Sequence, residues 1–146
     1  MVRSSAFRVV ESGEYGTAAN STSGQRGGEA AIEVARDEVT YERLWKKHIG
    51  SEIRPAIDFS RETALFLLLG IQSSGGYGVS PSAVTVRAGT ATVDAEIRAP
   101  GSRAIVATVM TAPFAVIAVS DRDVTRAVWR VKDKAEPFAQ SMEPNP

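Results

Sequence analysis

The chemistry open to this chain is bounded by what it lacks and by a few polar clusters. His48 is its only histidine, and it has no cysteine. A multi-histidine metal site cannot be built from one histidine, and no nucleophile pattern accompanies His48. Without cysteine there are no disulfides, thiolate nucleophiles or cysteine-ligated metals. Paired carboxylates can act as acid and base. Asp94 and Glu96, however, sit two apart in a run of strict alternation, which places both on one solvated strand face. Glu33, Asp37, Glu38 and Glu42 gather where a helix begins, and acids there complement the helix dipole. Gly75-Gly76 is followed neither by Lys-Ser or Lys-Thr nor by the spaced glycines of a dinucleotide loop. No alternation of Asp and Asn resembles a calcium loop. The expectation is a non-enzymatic protein with no cofactor and no metal.

What remains is Ser73-Ser74-Gly75-Gly76-Tyr77. Consecutive glycines open backbone conformations closed to other residues, and a preceding hydroxyl can bond the turn. Tyr77 then sets a large amphipathic ring beside bare backbone. That combination serves a tight β-connection with a buried tyrosine, or a contact surface for another protein.

Several elements must position this segment. The 146 residues suit one domain. Lys plus Arg and Asp plus Glu number 17 each, so no net charge draws the chain to nucleic acid or anionic lipid. The longest apolar run, Ala64 to Ile71, is far short of the ~20 residues of a membrane helix. The first ten residues lack the apolar stretch of a secretory signal, so the chain either stays in the cytoplasm or its signal lies outside this sequence.

One helix is expected over 37–49. Asp37 can cap it, Tyr41, Leu44, Trp45, His48 and Ile49 form its apolar stripe, and Gly50 can end it. Strands are expected at Ala6–Val10, Ala30–Arg36, Glu62–Ile71, Ala83–Ala88, Thr90–Arg98, Ile105–Thr111, Phe114–Val119 and Thr125–Val131, from alternation or short apolar runs. Ala88-Gly89 should turn a hairpin, and Pro113 should break or bulge a strand. Gly13 to Gly28, with five glycines, reads as a mobile loop. The fold class is α+β and β-dominated: antiparallel sheets, sandwich or barrel-like, of seven to eight strands, with one helix over an open face or an end. The domain should cover 1–131, and the proline-bearing tail 132–146 should be loose.

The order Asp58-Phe59-Ser60, Leu69-Gly70, Ser74-Gly75-Gly76-Tyr77, Pro100-Gly101 and Ala112-Pro113-Phe114 resembles the PrcB-like C-terminal domain family over about 58–119. Ser74 stands where that family usually has Thr, Phe114 where it has Tyr, and Pro81 where a β-branched residue is common. The resemblance implies a protein that stabilises or accompanies a protease complex, often outside the cytoplasm. Its partner-binding residues would include Ser74, Gly75, Gly76, Tyr77, Pro113 and Phe114, with Trp45 and Trp129 in the core. A second pattern is similar to chagasin-like inhibitors of cysteine proteases, which present three loops. Here these would be Ser74 to Tyr77, Pro100 to Arg103 and Ala112 to Phe114, with few glycines in the middle loop and no arginine in the third.

Overall fold

The structure is a computed structural model that describes residues 2–14, 16, 30–101, 105, 110–132, 134 and 136–141. The glycine-rich loop and the strand expected over 105–111 fall largely outside these residues.

The helix forms where its signals place it. α1 spans Glu38–His48, and the Asp37 carboxylate accepts the Thr40 N–H at 2.7 Å, satisfying an orphan donor of the first turn. The helix closes where the Ile49 and Gly50 N–H groups both donate to the Trp45 carbonyl. Its stripe buries Tyr41, Leu44 and Trp45. Tyr41 donates to the Pro55 carbonyl and Trp45 Nε1 to the Ser51 carbonyl, so both buried aromatics have polar partners.

Nine strands lie among the described residues: β1 (Arg3–Ser4), β2 (Phe7–Gly13), β3 (Ala31–Ala35), β4 (Thr63–Leu68), β5 (Gly78–Arg87), β6 (Thr90–Arg98), β7 (Phe114–Val119), β8 (Arg126–Arg130) and β9 (Ala139–Gln140). They form a five-stranded sheet, β1-β5-β6-β8-β9, and a four-stranded sheet, β2-β7-β4-β3. The sheets stay open, so the architecture is a sandwich and not a barrel. The two strands beyond the expected set are the two-residue β1 and β9, too short to carry a periodicity.

Two cores follow from the alternation. Between the sheets lie Leu65, Leu67, Val84, Val86, Ala91, Val93, Ala95, Ile117 and Trp129. On the far face of the four-stranded sheet, Ala64, Phe66, Val116 and Ala118 meet Tyr41, Leu44 and Trp45 of the helix. β4 and β7 are therefore covered on both faces, which is why they read as continuous apolar runs. The outer face of the five-stranded sheet carries Thr85, Thr92, Asp94 and Glu96, with Asp94 and Glu96 exposed as expected.

Three details depart from the reading of the sequence, and one expected turn is found in place. β8 runs parallel to β6, pairing Thr90–Asp94 with Arg126–Arg130, whereas antiparallel pairing was expected throughout. β5 starts at Gly78 and runs through Pro81, where a shift of register between Pro81 and Ala83 absorbs the missing N–H. The hairpin turns at Ala88-Gly89 as expected, with both residues at positive φ, 49° and 81°, as a two-residue turn of the favoured hand requires. Finally, the tail is tied down at 138–141. Phe138 packs on Trp129 with ring centroids 4.8 Å apart, β9 pairs with β8, and Ser141 Oγ accepts the Ala127 N–H. An aromatic docked on the sandwich core outweighs the flanking charges and prolines.

Candidate protein-contact site

Residues 13, 14 and 16 and the segments 72–77 and 111–114 converge at one end of the sandwich. Gln72 and Thr111 form an isolated antiparallel bridge, exchanging two backbone bonds of 2.8 Å. Thr111 Oγ1 donates to the Ser74 carbonyl at 2.8 Å. The Glu14 carboxylate accepts the Gly76 N–H at 2.5 Å, and the Glu14 carbonyl accepts the Ala112 N–H. Gly76 holds φ at 92°, a value closed to side-chain-bearing residues at low cost, so Ser74–Tyr77 turns sharply into β5. The result is a tight connection clamped from two neighbouring segments.

Its members differ in what they show to solvent. Gly75 is buried, and Ser74, Gly76 and Tyr77 are half-buried. Ser74 Oγ donates to the Gly75 carbonyl, so its hydroxyl stiffens the turn. The Tyr77 ring packs against the core between the sheets. Its hydroxyl has no partner among the described residues. Arg98 lies across Gly78, the next residue.

Pro113 and Phe114 do not belong on this surface. Pro113 is buried, and Phe114 is 6% exposed within the helix-side core. The Pro113 carbonyl accepts the Leu69 N–H, which locks the strand start into the sheet. A proline before an apolar strand looked like a loop tip; long-range pairing with β4 and β2 turns it into core. The third loop of a three-loop inhibitor is thus not presented. Of the second loop, Pro100 is half-buried and Gly101 exposed, and Arg103 lies outside the described residues. Trp45 and Trp129, at 1% and 0% exposure, are core as expected.

Sequence reasoning missed Glu14 and Thr111, which hold the segment in place. Neither carries a local signal, because each acts across tens of residues. It also missed the partner of His48. His48 Nε2 hydrogen bonds Glu33 Oε2 at 2.6 Å, fastening the last turn of α1 to β3.

The titratable groups that cluster hold elements together. The His48 hydrogen bond keeps the Glu33 carboxyl below the usual carboxylate range, against an opposing effect of burial. The backbone Thr40 N–H does the same for Asp37, and the Arg8 guanidinium for Glu62. Each folded value lies below its unfolded one, so the stabilisation is complete above the ordinary values of 4.5 for Glu and 3.8 for Asp, and is lost as pH falls through the folded values. The melting temperature is therefore expected to fall on acidification below those ordinary values. In a scan of thermal melts against pH, Glu33→Gln should flatten part of that acid fall. An unchanged acid slope would remove Glu33 from the account.

The geometry defines a two-sheet sandwich with one covering helix and a clamped glycine-tyrosine corner at one end. Residues 63–120, from the first residue of β4 to the residue after β7, match the family model described as PrcB C-terminal. Over that stretch the chain is similar to the PrcB-like C-terminal domain. No curated protein and no solved structure matches the chain.

Proposed function

We propose that this protein is a non-enzymatic interaction subunit that accompanies a protease complex, contacting its partner through the corner around Ser74, Gly76 and Tyr77. The match of residues 63–120 to the PrcB C-terminal family carries this reading. Its site is supported by the clamped turn and by the half-buried Tyr77, whose ring is seated against the core. A rigid, partly exposed aromatic supplies contact area at low entropic cost. The resemblance also favours action outside the cytoplasm.

The test is co-purification of the tagged chain with a protease assembly from its own cells. Tyr77→Phe is expected to leave the thermal melt unchanged while weakening that capture, since it removes only a hydroxyl that no described residue holds. Tyr77→Ala is expected to cost about 1–2 kcal/mol of stability as well, because a half-buried ring is lost. Capture indifferent to both changes would move the contact elsewhere. Titration of papain-like proteases should give no inhibition, and stoichiometric inhibition would replace this reading with an inhibitory one. Turnover of a substrate, abolished by a point change, would overturn a purely binding role.

A further inference from the structure

Among the described residues the longest edge strand of the sandwich is β2, which pairs there on one side only, with β7. The Leu69 N–H donates to the Pro113 carbonyl, so Pro113 faces β4 and Phe114 faces β2. Alternation along β7 then turns Val116 and Ala118 toward β2 as well. The bond from the Ser120 N–H to the Ala6 carbonyl fits the same phase. In the observed register, Phe7, Val9 and Ser12 stand opposite the residues that face β4, so their N–H and C=O groups point to the open edge. Among the described residues no backbone bond reaches them. The Ser12 N–H is held only by the neighbouring Glu11 carboxylate, at 3.3 Å.

We propose that β2 pairs antiparallel with β2 of a second copy of this chain, about a two-fold axis between Val9 and Val10. That register sets Phe7 opposite Ser12 of the second copy, both with outward backbone groups. It sets Arg8, whose guanidinium already holds Glu62 and the Ala56 carbonyl of its own chain, opposite Glu11 of the second copy, twice by symmetry, so that Glu11 would join an existing ion pair. Arg8 and Glu11 lie on the same face of the strand, since they pair with Ala118 and Val116, both in the helix-side core. Val9, 49% exposed in the single chain, is covered at the axis. Charges and a bulge, here the register shift between Val9 and Glu11, normally blunt an edge against arbitrary strands. The order Arg-x-x-Glu is complementary to itself when reversed, so these same devices favour a second copy over an arbitrary strand. The two four-stranded sheets would join into one of eight.

Sedimentation equilibrium on the pure protein, up to about 1 mM chain, tests this; a contact of one strand belongs to the small, weak class of interfaces. A monomer–dimer equilibrium is expected. Val9→Pro removes an outward N–H and leaves the ladder to β7 intact, and it should abolish the dimer with the far-UV spectrum unchanged. Should that variant misfold, Glu11→Lys decides: it turns two cross-strand attractions into repulsions and should weaken association roughly tenfold. Because the chain has no cysteine, register can be read directly. Mixing Arg8→Cys with Glu11→Cys under oxidation should yield the mixed disulfide in excess over either symmetric one. A monomer at every concentration, a dimer indifferent to Val9→Pro and Glu11→Lys, or a statistical mixture of disulfides would each overturn the proposal. None of these readouts involves a protease, so their failure leaves the proposed function standing.

Discussion

Trp129→Ala should cost about 3–5 kcal/mol, the range for deleting a fully buried large aromatic, and should lower the urea midpoint without changing the slope. Trp129 is 0% exposed in the middle of the core between the sheets. Its Nε1–H donates to the Ala95 carbonyl at 3.0 Å, tying β8 to β6 across the parallel pair. Its ring also seats Phe138, and its carbonyl accepts the Phe138 N–H at 2.7 Å. Truncation therefore removes packing, leaves the Ala95 carbonyl without a donor it now has, and releases β9 from its anchor. Trp129→Phe should keep most of the packing and lose the Ala95 bond, for a smaller loss. If Trp129→Ala melted like the parent, the assignment of this residue to the centre of the sandwich would be wrong.

Phe66→Ala should cost a similar amount, about 3–5 kcal/mol, but through the other core. Phe66 is 0% exposed on the far face of β4, with its ring centroid 5.9 Å from Tyr41 and 6.4 Å from His48. The cavity would open between sheet and helix, so far-UV helical signal should be lost earlier in the titration than strand signal. Tyr41 supports this separation, since it meets Trp45, Phe59 and Phe66 in edge or tilted contacts, all on the helix side. Coincident loss of both signals would show the two cores to be one cooperative unit.

Much of this architecture was legible because most elements carry a period. Thr90–Arg98 alternates almost without fault, and its inward residues Ala91, Val93 and Ala95 are buried. The helix announces itself with a cap, a stripe and basic residues in the last turn. What stayed hidden is non-local. Nothing in the residues of β6 or β8 says that the two run parallel, because that follows from the chain crossing to β7 in the other sheet and returning. β1 and β9 have two residues each and no pattern to read. At the candidate site, the glycine-tyrosine turn was visible from its residue types, whereas the clamps from Glu14 and Thr111 depend on strands that are distant in sequence. Phe114 was misplaced for the same reason: a proline marks a break locally, but pairing with Leu68 and Gly13 makes the following residue a core position.

The burial of β4 and β7 on both faces has a consequence for deuterium uptake. Both strands are flanked in their own sheet by other strands, and layers lie above and below them, so water reaches their amides only when a large part of the molecule opens at once. Thr63–Leu68 and Phe114–Val119 should be the last segments to exchange, long after β1, β9 and the outer margin of β2.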